Sequence, residues 1–443
     1  MRAHLSNAAY GVLDYVAWPA GMLIVAPIAL HHLGSGEFGV WMIANAALTI
    51  GSIVASGFGD ANIRSVSQAR GSGDITALGR AVRGTMGIHL VMGVVVAAIA
   101  WALAPLAAER IAIVDAGLQA ACLWSLRIAS VLILIRAIET VCVSTQRAFE
   151  RYGAAVSASV VGRLLALASA AVLPLAGIGV FGIMAATAIF LALALALQLF
   201  QLSRLLGPGV LAPSFDRDAL TALLGFGVFT WLQAVAGVAF AQADRLITGM
   251  YLGAATVALY ALCAQLAQPI YGMAAAGLHF LFPYVSARTA PDSLQRVRRA
   301  IVVAFAANLL VVATGACVLL FFGGRLLSAW VGSSVAQAGA PVLPPLVWST
   351  AAQGLSITGT YTLLALGRVR WVTFLNLAGG AAMLLAAPLL VPRFGAQGMA
   401  TARLFYGPFT LLVYVPLLLL LFGGTCATFR ARAAVAACEE AGQ

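Results

Sequence analysis

The arginines decide what this chain can fold into. All 25 of its basic residues are arginine, and most of them fall in short gaps between long apolar runs, favouring every second gap. A run of about 20 apolar residues crosses ~30 Å of hydrocarbon as a helix, and arginine collects in the loops on the cytoplasmic side. The pattern therefore predicts an all-α polytopic membrane protein with a fixed orientation. Composition agrees. Mean hydropathy is +1.00, with 62% hydrophobic and only 9% charged residues, where a soluble domain carries about 25% charged. The formal net charge of +11 reads as topology and attraction to anionic lipid headgroups rather than as a nucleic-acid site.

Twelve spans can be placed, at roughly 8–31, 38–58, 82–106, 117–143, 152–174, 178–202, 219–250, 256–285, 300–322, 340–366, 371–391 and 396–422. With the N-terminus cytoplasmic, 17 arginines fall in cytoplasmic segments. Only Arg110, Arg325 and Arg393 fall on the opposite side, and Arg127, Arg136, Arg163, Arg245 and Arg403 lie inside spans. This is a strong positive-inside bias and puts both termini in the cytoplasm. The first apolar run is too long for a cleavable leader and is expected to be retained as an anchor. The six cysteines are scattered without a CxxC pair, so neither a disulfide framework nor a zinc site is expected.

The two halves echo each other. Leu33-Gly34 matches Leu252-Gly253, and at the same offset Val66-Ser67 matches Val285-Ser286 and Trp41 falls opposite Tyr260. Gly179-Val-Phe-Gly182 resembles Gly395-Ala-Gln-Gly398. Six spans per half is an even number, so both halves share one orientation and form a parallel repeat about an axis along the membrane normal. The expected domains are a six-helix bundle over 1–202, a cytoplasmic linker over 203–218, a second six-helix bundle over 219–425 and a cytoplasmic tail over 426–443.

Several stretches carry a family resemblance. His32-Leu-Gly-Ser-Gly-Glu37-Phe38-Gly39-Val-Trp41 resembles the loop between the first two helices of polysaccharide-type lipid flippases. Gly57-Phe-Gly59-Asp60 with Ser65-Val-Ser67-Gln68 is similar to the end of their second helix. Asp244-Arg245 through Gly253 with Tyr260 resembles their seventh-to-eighth junction, and Phe282-Pro283-Tyr284-Val-Ser286 their eighth-helix terminus. The superfamily contains multidrug and toxin extruders, lipid II flippases and Wzx-type O-antigen or exopolysaccharide flippases. The resemblance implies two six-helix bundles around a cavity, in a bacterial inner membrane. It also implies transport of undecaprenyl-pyrophosphate-linked oligosaccharide by alternating access. Lipid II flippases typically carry additional helices, which favours the O-antigen or exopolysaccharide branch. Implied partners are the lipid-linked oligosaccharide, membrane lipids, a polysaccharide polymerase and glycosyltransferases.

Charges inside the membrane are expensive, so each calls for a partner, water or a function. Arg163, near mid-depth of the fifth span, has no acid close in sequence and is a candidate contact for a pyrophosphate or acidic sugar. Arginine suits that role because its planar fork binds phosphate bidentately and stays charged. Arg127 and Arg136 in the fourth span are further substrate-binding candidates. Arg136 and Glu139, three residues apart, share a helix face and can pair instead. Asp14, Glu139, Asp244 and Arg245 are candidates for ion coupling or gating, with structural ion pairing the competing role for each. His89 and His279 lack metal-ligand spacing and read as packing residues; no metal or cofactor is expected. Gln233, Gln242, Gln265, Gln268, Asn45, Asn308, Gln353 and Asn376 can hydrogen-bond either sugars or neighbouring helices. No Walker A motif occurs, which argues against ATP hydrolysis. No outward loop is long enough for a soluble active site, so the chain reads as a non-enzyme. An ion-coupled drug exporter of the same superfamily is the alternative, with a membrane enzyme of envelope polymer assembly behind it. Cationic drugs call for an acidic cavity, and these spans hold more arginines than acids.

Overall fold

A computed structural model describes residues 2–56, 58–112, 115–215, 217–286 and 294–421. The tail over 426–443, with Cys426 and Cys438, lies outside the described residues, as does Asp216 of the linker. The described residues are helical throughout, with no strand among them. That is the solution an apolar chain must reach in lipid, where every main-chain donor and acceptor has to be satisfied within its own segment.

By its internal packing the chain divides into two compact units, 1–261 and 262–443. The first holds α1 (Arg2–Ser56), α2 (Gly59–Gly71), α3 (Ile75–Ile111), α4 (Ala116–Ala148), α5 (Tyr152–Val172), α6 (Val180–Leu206) and α7 (Arg217–Leu252), with the start of α8 (Ala254–Leu278). The second holds the rest of α8, then α9 (Leu281–Ser286), α10 (Leu294–Val331), α11 (Ser333–Gly339), α12 (Leu343–Ala365), α13 (Val369–Leu404), α14 (Tyr406–Leu411) and α15 (Tyr414–Leu421).

Eight stretches are long and apolar enough to cross a membrane by length and composition. Two of these are broken. The helix α1 leaves helical geometry at Gly34 (φ 74°, ψ 169°), and α13 does so at Gly395 (φ 58°, ψ −137°). Dividing at those glycines and adding α7 and α12 gives the twelve spans read from the sequence. The last span is completed by α14 and α15. The polar helix α2, GDANIRSVSQARG, continues past the second span, where its arginines and serine hydroxyls are incompatible with hydrocarbon.

The repeat is visible in the main chain. Gly34 and Gly253 occupy matching positions, and both sit at positive φ, 74° and 80°. Only glycine takes that region without a Cβ penalty, so each half reverses direction at the same residue. The matched aromatic pair, Trp41 and Tyr260, is buried in both cases.

Within the first unit α1 packs on α3, α4, α5 and α7. Just past the Gly34 break, the helix is pressed so closely on the start of α8 that a Cβ on Gly39 would lie 1.8 Å from the Ala254 carbonyl oxygen. Further along, Trp231 of α7 donates to the Val54 carbonyl at 2.9 Å and stacks flat on Phe58 (centroids 6.0 Å apart, 9° between planes). The linker is pinned to α3: the Ser214 amide donates to the Arg83 carbonyl at 2.9 Å, and Arg83 Nε donates to the Ala212 carbonyl at 3.2 Å. A Cβ on Gly87 would meet the Ser214 carbonyl oxygen at 2.4 Å.

In the second unit α12 is the central element, packed against α9, α10, α13, α14 and α15. Its hydroxyls at Ser349, Thr350, Ser356, Thr358 and Thr362 are buried and spent on main chain and neighbours. Ser349 Oγ donates to the Arg403 carbonyl at 3.0 Å. Asn308 of α10 donates to the Gly354 carbonyl at 2.9 Å and to Thr358 Oγ1 at 3.2 Å.

Candidate functional site

Three helices of the first unit, α4, α5 and α6, bring a polar cluster together inside the apolar layer. Arg136 Nη1 donates to Glu139 Oε2 at 2.7 Å, one turn apart on α4. The Glu139 side chain is 2% exposed and that of Arg136 31%, so the acid is enclosed while the base keeps an open edge. The Ser159 hydroxyl of α5 donates to the other Glu139 oxygen. Ser159 Oγ in turn accepts from Gln198 Nε2 of α6 at 3.3 Å, and Gln198 Oε1 accepts from Gln146 Nε2 of α4 at 2.5 Å. Arg163 Nε donates to the Ser159 main-chain carbonyl at 3.2 Å. The cluster therefore joins Arg136, Glu139 and Arg163, three residues named from the sequence, through three that were not, Gln146, Ser159 and Gln198. Ser159 lies one turn before Arg163, but nothing in the sequence says that α5 presents it to Glu139.

Chemically, the cluster brings together the guanidinium groups of Arg136 and Arg163 and the Glu139 carboxylate. Glu139 satisfies Arg136 at close range. Arg136 and Arg163 both keep part of their side chains open, and a guanidinium fork has the shape and charge to take an anion such as a phosphate.

The other candidates lie apart. Arg127 is nine residues from Arg136 on α4, about 13 Å along the axis. Its guanidinium lies over the rings of Trp101 (5.0 Å) and Trp124 (5.1 Å). Asp244 is fully buried. Its carboxylate accepts from Tyr260 Oη at 2.8 Å and from the Arg245 amide at 2.8 Å. Arg245 Nη1 donates to Gln242 Oε1 at 3.0 Å. The Tyr260 bond fastens the end of α7 to α8, and the other two stay within α7. Asp14 falls in α1, but its side chain lies outside those described, as does that of Gln233.

Several of the amide candidates are engaged within or between helices. Asn45 donates to the Trp41 carbonyl at 2.8 Å, Gln353 to Ser349 Oγ at 3.2 Å, and Asn376 accepts from Tyr406 Oη at 3.2 Å. His89 is buried and its Nδ1 lies 3.2 Å from the Ala137 carbonyl, a packing role. Cys122, Cys142, Cys263 and Cys317 are free thiols.

Glu37 has a structural role that its place in the sequence does not reveal. Its carboxylate accepts from the Val180 amide at 2.7 Å, at the N-terminus of α6. A Cβ on Gly179 would sit 2.7 Å from the same carboxylate. Negative charge suits the positive end of the helix dipole, and the glycine leaves room for it. Replacing Glu37 with Ala is expected to lower stability by about 1 kcal/mol, read as an earlier thermal unfolding midpoint in detergent. An unchanged midpoint would remove the cap from the account.

A family model described as "Polysaccharide biosynthesis protein" matches residues 33–335. No curated protein matches the chain in sequence. Solved structures resemble it in fold. An inward-facing multidrug resistance MATE family transporter of the MOP superfamily is 13% identical over 95% of this chain and 96% of its own, with a TM-score of 0.73. The lipid II flippase MurJ, in an inward closed conformation, is 12% identical over 91% and 87%, with a TM-score of 0.68. A eukaryotic MATE transporter is 16% identical over 94% and 95%, with a TM-score of 0.63. At these identities the likeness is one of fold.

Proposed function

Since the chain belongs to the polysaccharide biosynthesis family and is a multi-pass membrane protein with the fold of MOP-superfamily exporters, we propose that it flips a lipid-linked oligosaccharide across a bacterial inner membrane. The observation that carries this reading is the cluster on α4 and α5. Arg136 and Arg163 place two positive charges within the apolar layer, Arg136 joined to the enclosed Glu139 directly and Arg163 through Ser159. A pyrophosphate head needs such neutralisation in a low-dielectric setting, and its prenyl tail can stay in lipid.

Arg163 is the principal contact in this proposal. Arg136 assists, and Glu139 holds Arg136 in place and excludes other anions until the substrate arrives. Transport proceeds by alternating access between bundles 1–202 and 219–425, joined by the linker 203–218. Asp244, Arg245 and Asp14 are the proposed gating or coupling groups. Access from the outer side would require the close approach of Gly39 to Ala254 to part. Both termini are cytoplasmic in this scheme. A polymerase and glycosyltransferases are its partners in the pathway.

Mass spectrometry of undecaprenyl-linked intermediates in depleted cells tests the reading. Complete oligosaccharide units should build up on the carrier, and Arg163→Ala should fail to relieve the build-up although the protein is made and inserted. Normal lipid-linked pools in depleted cells would refute the proposal. They would favour a drug exporter, the reading that the likeness to MATE transporters supports. Truncated units would point to an enzyme of glycan assembly.

A further inference from the structure

Among the intramembrane arginines, Arg127 has an unusual setting. Its partners are two aromatic rings, Trp101 of α3 and Trp124 of α4. Among the described residues no carboxylate or other hydrogen-bond acceptor meets its nitrogens, and its Nε is a buried donor without a partner there. The two tryptophans are 43% and 48% exposed. Around them α3 and α4 present Val94, Leu103, Leu106 and Val131, each 47% exposed or more. This is an apolar flank of the kind that faces lipid.

The geometry fixes where the charge points. Arg127 lies eleven residues into α4 and Trp101 ten residues before the end of α3. Both therefore sit about 15 Å along the helices from the α3–α4 connection. The arginine distribution puts that connection on the outer side. Helical side chains lean toward their own N-terminus. For α4 that direction is outward, and the placement of the guanidinium over Trp124, three residues earlier, agrees. A guanidinium that rests on ring faces leaves its in-plane N–H edges unspent.

We propose that Arg127, Trp101 and Trp124 form a binding site for the phosphate of an anionic phospholipid on the outer-leaflet flank of α3 and α4. The rings hold the guanidinium upright, its free edge takes the phosphate oxygens bidentately, and the flanking valines and leucines seat the acyl chains. Snorkelling of the long side chain and local thinning of the bilayer bring the phosphate down to it. The site is independent of the transport cluster, and its occupant is a resident lipid.

The tryptophans report on their own site. Purified protein in detergent is titrated with phosphatidylglycerol carrying brominated acyl chains, which quench nearby indoles. A diglucosyl diacylglycerol with the same brominated chains but no phosphate serves as control. The signal of Trp101 and Trp124 is the difference between wild type and the Trp101→Phe/Trp124→Phe variant. Half-maximal quenching of that signal is expected at about tenfold less phosphatidylglycerol than glycolipid. Arg127→Gln should bring the two lipids together. Should Arg127→Gln fold poorly, the two-lipid comparison on wild type still decides. Equal quenching by both lipids overturns the proposal, as does a preference that survives in Arg127→Gln. Relief of the quenching by an equal concentration of inorganic phosphate would show a free-phosphate site and overturn the lipid assignment.

Discussion

Removing the Glu139 carboxylate should be among the most damaging single changes in this protein. Glu139→Leu takes the acceptor from Arg136 Nη1 and from the Ser159 hydroxyl at once. A charge left unpaired in a buried setting costs about 3–5 kcal/mol. Arg136 keeps about a third of its side chain exposed, so solvent screening is expected to bring the loss below that range, to about 2–3 kcal/mol. Thermal unfolding in detergent should show it. The companion experiment separates an ion pair from mere packing. Arg136→Leu with Glu139→Leu removes both charges, and should be clearly less destabilised than Glu139→Leu alone, because no orphan remains. If the double variant is as unstable as the sum of the two single ones, the pair is not an energetic unit. In the same double variant transport should still fall, since a cation proposed to meet the substrate is gone.

Gly39→Ala is expected to be the second large effect, from one methyl group. The obstacle is main chain: the new Cβ would meet the Ala254 carbonyl oxygen at 1.8 Å and its carbon at 2.5 Å. Backbone cannot rotate away as a side chain can, so α1 and the start of α8 must move apart. Overpacking of this kind costs about 1–3 kcal/mol. Gly36→Ala, three residues earlier, is the control. Its Cβ would meet only the Leu118 side chain, at 3.3 Å, and a near-native midpoint is expected. Equal midpoints for the two variants would contradict the close helix approach. If the contact parts during transport, Gly39→Ala should also shift accessibility of cysteine probes placed near Ala254 toward the outer side.

The apolar runs gave away the number of spans and nearly all of their order, because lipid leaves a chain no other way to satisfy its backbone. They also marked the reversals, since Gly34 and Gly253 stand at matching places in the repeat and both take positive φ. The Arg136–Glu139 pair was legible too, because i and i+3 share a helix face whatever the tertiary structure. Contacts between distant segments were not legible. Glu37 and Val180 are 143 residues apart, and each belongs to a different sequence motif. Ser159 and Gln198 look like ordinary polar residues in apolar helices until α4, α5 and α6 are packed. Arg127 is an intermediate case. Trp124, at i−3, was a visible hint of cation–π contact, but Trp101 comes from a different helix, and only the α3–α4 packing supplies it.

The placement of α12 has a consequence for how the protein is made. This helix is absent from the stretches that qualify as spans on hydropathy, because its face-to-face hydroxyls and Gln353 replace the leucines and valines a lone helix would carry. Thr350, Gln353, Ser356 and Thr362 bond within α12 itself, while Thr358 and Ser349 reach neighbours, Asn308 on α10 and the Arg403 carbonyl on α13. During synthesis α10 has already emerged when α12 leaves the ribosome, whereas α13 has not. The helix α12 therefore has little independent reason to partition from the translocation channel into lipid. It must be retained at the channel or leave it leaning on α10, and its integration becomes final only once α13 arrives. Biogenesis of the second unit is thereby a collective event, in which several helices enter the bilayer as a group.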